Sequence, residues 1–328
     1  MPEISVIITT HNRPDSLRRA IASARAASTR EIEIVVVDDA SMEEVARVCR
    51  SLPDITYVRA ESNQGVAGAR NLGILASHGD FLSFLDDDDL RLPGSLDLQL
   101  DALISSPTSG LIYGQAILGR QDGTASDDFY PTRCPQGDVF WELLAQNFVP
   151  SGAALFRRSC LDRVGLLDDS IAGIDDWDLW VRIAELYPVL ALERPVMVWR
   201  KSTPVSDQGS SNAVEMVKLS ACQFRGRWML LPRTLKASVT KRRESSRRFS
   251  NNMASHLLWE TVRSTASGQL HRSQSNFLAA LRLYPAAVVR VLVRPASFRF
   301  LLTRAPQEWQ TLKDGGRRSS KPEGGHKT

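Results

Sequence analysis

Four consecutive carboxylates, Asp86-Asp87-Asp88-Asp89, are the strongest chemical signal in this 328-residue chain. Side by side, such charges repel one another unless a cation compensates. Hard carboxylate oxygens suit Mg²⁺ or Mn²⁺, which keep open positions for phosphate oxygens. A solvated acidic turn capping the next helix is the plain alternative. An EF-hand calcium loop does not fit, because the glycine at its sixth position and the glutamate at its twelfth are missing. Two further polar clusters are Thr9-Thr10-His11-Asn12-Arg13 and Asp38-Asp39. A carboxylate pair, Asp175-Asp176, opens a stretch in which Trp177, Trp180, Val181 and Ala184 recur at helical spacing. The tryptophans there read as core, and first-turn carboxylates stabilise a helix dipole by roughly 0.3–1 kcal/mol.

The elements that must position these clusters alternate. Ile4 to Thr10 reads as a buried strand, and Asp15 as the cap of a helix bearing Leu17, Ala20, Ile21 and Ala24 on one face. Strands follow at Ile32 to Val37, Ile55 to Val58 and Phe81 to Leu85, with helices at Glu43 to Cys49 and Gly65 to Ser77 between them. Pro93 opens the next helix, and Leu111 begins a fifth strand. Such alternation predicts βαβ units and an α/β fold with a mainly parallel sheet flanked by helices. Ligands of these sheets bind beyond the carboxyl ends of the strands. The clusters at Thr9 to Arg13, Asp38-Asp39 and Asp86 to Asp89 all fall there, which makes one site of three.

Several classes drop out. The glycine fingerprint of dinucleotide binding is absent after the first strand, as is the Gly-Lys phosphate loop. No run of about 18 apolar residues exists. The four cysteines are scattered without metal or redox spacing, and no signal-peptide pattern is present, so reduced thiols in the cytoplasm are expected.

The motifs resemble those of family 2 glycosyltransferases with the Rossmann-like GT-A fold, over about residues 3–202. They are Ser5 to Arg13, Ile34 to Ser41, Asn63-Gln64-Gly65 with Gly68-Ala69-Arg70-Asn71-Leu72-Gly73, Phe84 to Asp89 with Pro93, and Asp175 to Trp180. The resemblance implies an inverting transfer of a sugar from a nucleotide-diphosphate donor, UDP being the family's most frequent nucleotide. It places the nucleotide against Thr9, Asn12, Arg13, Asp39 and Arg70, with Asp86 and Asp87 near the ribose and metal shell. Asp88 becomes the direct ligand of Mg²⁺ or Mn²⁺, and Asp176 the catalytic base. Asp175 stands where the family usually has glutamate, next to the acceptor. Gly152 would let the backbone approach the donor sugar. No histidine follows the last core strand to complete a metal shell, and Arg200 or Lys201 could neutralise the diphosphate instead. For Arg70, a salt bridge on its own helix is the structural alternative. The acceptor implied is a cell-surface polysaccharide or lipid-linked glycan.

The net charge of +4 conceals a split. Residues 218–328 hold 22 Lys/Arg against 5 Asp/Glu, and residues 1–217 hold 19 against 32. We therefore expect a catalytic domain over 1–217, a basic helical extension over 218–312 and a disordered tail over 313–328. The extension suits an anionic membrane surface at the inner face, or packing against the acidic catalytic domain or a subunit; nucleic acid is less favoured. Two other functions compete with glycosyl transfer: an inactive nucleotide-sugar-binding scaffold and a nucleotidyltransferase.

Overall fold

The computed structural model describes residues 2–52, 54–119, 125–200 and 212–293. These form two compact units, one of residues up to 200 together with 223–235, the other of 212–222 with 236–293. In the first unit, β1 (Ile4–Thr10), β2 (Ile32–Asp38), β3 (Thr56–Arg59) and β4 (Phe81–Asp86) lie parallel in the order β3-β2-β1-β4. Helices α1 (Pro14–Ala26), α2 (Glu43–Arg50) and α3 (Gly65–Ala76) connect them. This is the expected parallel half of an α/β sheet.

Beyond β4 the sheet is mixed. In chain order come β5 (Leu90–Arg91), α4 (Ser95–Ser105), β6 (Leu111–Gly119), β7 (Ala125–Tyr130), α5 (Phe140–Ala145), β8 (Ala154–Arg157), α6 (Leu161–Val164), α7 (Asp175–Leu186) and β9 (Val189–Arg200). Strand β8 inserts antiparallel between β4 and β6, while β9 runs parallel to β6 on its other side. Alternation in the sequence counts strands and helices, and it does not reveal that a later strand enters between two earlier ones. Two boundaries also move. Helix α1 starts on Pro14, whose missing N–H costs nothing at the first position, so Asp15 sits in the first turn without capping it. Helix α4 begins two residues after Pro93, past a left-handed Gly94, and Leu90-Arg91 pairs with β9 instead.

The core divides by strand parity. Ile4, Val6, Ile8, Ile34 and Val36 face one layer with Leu17, Ile21, Val45, Leu96 and Leu100. The opposite face carries Ile7 and Val37, and against it lies α3. That helix approaches so closely that a Cβ on Gly73 would stand 2.3 Å from Ile7 Cγ2 and 3.1 Å from Val37 Cγ2. Further along, Trp180 is fully buried with its ring centroid 5.4 Å from Phe156 and 6.3 Å from Phe84. Trp177 is also buried and donates its indole N–H to Leu143 O at 2.7 Å, so both tryptophans are core as expected. Buried Asp178 ties α7 to the following segments: it accepts from Arg182 Nε at 2.7 Å, Gln223 Nε2 at 2.7 Å and Trp228 Nε1 at 2.8 Å. Helix α8 (Ala213–Gly226) and the short α9 (Pro232–Leu235) lie in this stretch.

The second unit is helical, as expected. Its long α10 (Val239–Ala266) is capped by Ser238 Oγ, which accepts from Lys241 N at 3.2 Å, and buries Phe249, Met253, Leu257 and Leu258. Helices α11 (Leu270–Leu283) and α12 (Pro285–Leu292) follow, bent by 111° at Tyr284. The tail expected at 313–328 and the end of the extension lie outside the described residues.

Gly73→Ala tests the close approach of α3. Overpacking costs about 1–3 kcal/mol, against at most about 1 kcal/mol gained in helix propensity. A lower urea midpoint with an unchanged denaturant slope is the expected result.

Candidate functional site

Because β2, β1 and β4 are neighbours, their carboxyl ends meet on one edge. Thr10 stands beside Asp38, and Thr9 beside Asp86. The two-residue period of β1 then sends consecutive threonines to opposite faces. Thr9 Oγ1 donates to Asp86 Oδ1 at 3.5 Å on the α3 side, and Thr10 Oγ1 to Asp87 Oδ2 at 2.7 Å on the other. The acidic run is sorted in the same way. Asp87 and Asp89 are buried, whereas Asp86 and Asp88 keep 39 % and 16 % of their side chains exposed.

Each buried carboxylate has its own support. Arg13 Nη1 donates to Asp87 Oδ1 at 2.9 Å and to Asp88 Oδ2 at 3.3 Å. Burial pushes the Asp87 carboxyl up to about 6 even so, with the Arg13 charge and the Thr10 hydroxyl opposing the rise. Asp89 turns inward and accepts Arg200 N–H at 2.8 Å. Burial, then the neighbouring carboxylates, raise it well above the usual carboxylate range.

Arg70 occupies the centre. It is 4 % exposed and lies over the Phe84 ring at 5.2 Å. Its Nη2 donates to Asp86 Oδ1 and its Nη1 to Asp175 Oδ2, both at 2.9 Å. The ion pairs therefore run to β4 and α7, not along its own helix. Burial opposes the Arg70 charge, but Asp86, Asp175 and Asp176 outweigh it and hold its pKa above the ordinary value.

Asp175 and Asp176 open α7 and differ in surroundings. Asp175 is 2 % exposed, and its other oxygen accepts Gly173 N at 3.2 Å. Asp176 is partly exposed, and its Oδ1 accepts Trp177 N at 2.6 Å. Burial and then the Asp175 charge push the Asp176 carboxyl up to about 7, against the pull of Arg70. A carboxylate that reaches solvent and titrates there is suited to taking a proton.

On the far side, Asp39 Oδ1 accepts Gln64 N at 2.6 Å, just before α3, and its carbonyl accepts from His11 Nδ1 at 2.7 Å. Asn12 adopts a left-handed conformation, with φ of 56°. Its N–H donates to Ser41 Oγ at 2.8 Å and its Oδ1 accepts Met42 N at 2.9 Å, so it fastens two strand-end loops together. Gly152 lies in a tight turn where a Cβ would meet Met197 Cε at 2.9 Å, so Met197 supplies the crowding. Lys201 lies outside the described residues.

The structure thus brings Thr9, Asn12, Arg13, Asp39, Arg70, Asp86, Asp87, Asp88, Asp175 and Asp176 to one edge region. It adds three groups to which the sequence assigns no role of their own. Thr10 supports Asp87, and strand parity alone could have found it. His11 holds the Asp39 carbonyl. Tyr130, at the end of β7, donates its hydroxyl to Asn147 O and packs 6.1 Å from the Trp199 ring. Burial raises its phenol to about 12, and the nearby Asp176 charge adds to the rise. No sequence signal links Tyr130 to a carboxylate some 46 positions away.

No group of three or more His, Cys, Asp or Glu residues is arranged for a metal among the described residues. Mg²⁺ commonly takes one or two protein carboxylates and fills its other positions with phosphate oxygens and water. The solvent-reaching pair Asp86 and Asp88 fits that donor set.

Residues 5–165 match the family model described as Glycosyl transferase family 2. That segment belongs to glycosyltransferase family 2. The match ends before Asp175, and α7 supplies the carboxylate pair from beyond it. Among curated proteins, the chain is 32 % identical over 197 residues to the succinoglycan biosynthesis protein ExoU of Rhizobium meliloti, covering 55 % of this chain and 56 % of ExoU. The fold is similar to S. aureus TarS 1-349 in complex with UDP-GlcNAc, with a TM-score of 0.54 and 15 % identity over 87 % of this chain and 90 % of that one. It is also similar to the mannosyltransferase PcManGT from Pyrobaculum calidifontis in complex with GDP-Man and Mn²⁺. There the TM-score is 0.53 and the identity 18 %, over 98 % of this chain and 88 % of that one. The α/β unit is accordingly a GT-A fold.

A carboxyl-¹³C NMR titration checks the electrostatics of the family 2 unit directly. Asp176 is expected to titrate near 7, and above that in Arg70→Met, because Arg70 lowers its pKa. A midpoint near the ordinary aspartate value of about 3.9 would refute the geometry.

Proposed function

We propose that the protein is a metal-assisted, inverting glycosyltransferase that takes a nucleotide-diphosphate sugar, a UDP-sugar first among them, and glycosylates an acceptor hydroxyl. The observation that carries this reading is the buried Arg70 bridge. It joins Asp86, on the nucleotide side, to Asp175, beside the candidate base, in one network. Asp176 accepts the acceptor's proton as its oxygen attacks the anomeric carbon from the face opposite the leaving group. Asp175, held by Arg70 and Gly173 N–H, fixes the start of α7 and keeps the Asp176 pKa high. Thr9, Asn12, Arg13 and Asp39 form the lip over the nucleotide, with Asp86 and Asp87 below it.

Asp88, with Asp86 beside it, would hold Mg²⁺ or Mn²⁺, which supplies Lewis-acid stabilisation of the diphosphate leaving group. The Mn²⁺ and GDP-Man in the PcManGT structure and the UDP-GlcNAc in the TarS structure support a nucleotide-sugar donor and a divalent ion. ExoU's role in succinoglycan biosynthesis supports a polysaccharide or glycolipid acceptor. The catalytic domain spans 1–217 and works in the cytoplasm, where nucleotide sugars are made. The basic extension over 218–312 holds it peripherally at an anionic membrane surface. No single described helix is long and apolar enough to cross a membrane.

Asp176→Asn is the decisive variant. It should bind the nucleotide sugar as the parent does and lose at least roughly 10²-fold in turnover, the usual scale for a general base. A panel of nucleotide sugars and nucleoside triphosphates, scored for hydrolysis and transfer, measures this. Turnover of triphosphates alone would instead indicate nucleotidyl transfer, and parental rates in Asp176→Asn would remove the base from the mechanism. The parental rate should rise with pH through about 7, as Asp176 ionises.

A further inference from the structure

Helix α11 is inverted in its polarity. The side it buries carries Ser273, Asn276 and Ala280, while Leu270, Phe277, Leu278 and Leu281 are exposed. Those four stand at i, i+7, i+8 and i+11 on one side of the helix, with Gln274 among them at i+4. Leu270 is 63 % and Leu278 48 % exposed, so the stripe is open along its length. Helix α12 is apolar on both sides: Ala287, Val288 and Val291 are buried, and Val289 and Leu292 are exposed at i and i+3. Large apolar side chains left exposed on one side of a helix suit an interaction site.

Charge identifies the occupant. Between Glu260 and Glu308 the sequence has seven arginines and no acidic residue. A second copy of the same surface would bring like charges together, and the chain's own residues 294–307 are just as basic. An anionic bilayer complements both features, since its headgroups face the arginines and its acyl boundary the leucines. Neither helix is long enough to cross by itself. At 14 and 8 residues, α11 and α12 extend about 21 and about 12 Å, short of the roughly 30 Å hydrocarbon core. The two meet at a bend of 111°, which suits helices lying along a surface more than one straight span.

We propose that the exposed stripes of α11 and α12 are an interfacial lipid-binding surface. Leu270, Phe277, Leu278, Leu281, Val289 and Leu292 enter the acyl boundary, and Arg272, Arg282 and Arg290 of the same two helices meet anionic headgroups. This deepens the membrane reading above and rests on it. It differs from attraction through the Lys241-Arg242-Arg243 run of α10, which carries charge without an apolar stripe.

Sedimentation of the full chain with phosphatidylcholine vesicles, with and without phosphatidylglycerol, separates the two. The parent should bind the anionic vesicles, and each arginine near the surface adds about fivefold. The triple variant Leu278→Gln/Leu281→Gln/Leu292→Gln should bind at least about tenfold more weakly, with the parental circular-dichroism melt and parental nucleotide-sugar hydrolysis. Val289→Gln alone gives a milder substitution should the triple variant lose its fold, and a measurable weakening is expected there too. Equal binding by parent and folded variants would overturn the assignment of this surface and leave charge attraction standing. No binding by the parent would overturn both. A dimer in light scattering that the triple variant abolishes, without any change in vesicle binding, would assign the face to a second copy and overturn the proposal.

Discussion

A single buried guanidinium holds the site together. Burying an arginine is costly unless carboxylates compensate it, and removing one partner leaves the other charge stranded. Arg70 has partners 16 and 105 positions away in the chain, on β4 and on α7. The pairing can form only when α3 lies against the sheet, and it lies there because residue 73 has no side chain. The geometry of the candidate site therefore depends on a missing methyl group one helical turn from the ion pair.

The four-aspartate run shows why charge clusters cannot be interpreted by counting. Strand parity and the turn that follows send two of the four inward, each to a different partner, and leave two facing solvent. The inward pair is matched by a hydroxyl, a guanidinium and a backbone N–H. The outward pair keeps some contact with solvent while sharing Arg70 and Arg13. Mutual repulsion within the run is thus relieved partly by the fold itself, through Arg13 and Arg70.

The sequence made the parallel half of the sheet, the edge on which its polar clusters gather and the helical nature of the extension legible. These follow from local periodicity and from residue type at strand ends. The insertion of β8 between β4 and β6 was not legible, because pairing order depends on contacts tens of residues apart. The partners of Arg70 were hidden for the same reason: a salt bridge on its own helix is a local reading, and the actual one is tertiary. Tyr130 reaches the Asp176 neighbourhood from an edge strand with no motif around it. The inverted helix α11 was equally unreadable, since an amphipathic pattern does not say which of its faces is covered.

Asn12 has a consequence of another kind. A left-handed residue between two strand-end loops, bonded through both its backbone and its side chain to Ser41 and Met42, fixes the lip before any ligand arrives. The ordering of those loops comes with folding, so under the proposed function the donor would meet loops already joined. Such preorganisation reduces the conformational entropy lost on association. In the proposed reading, the donor would meet two loops already tied to each other, and its outline would be tested against them.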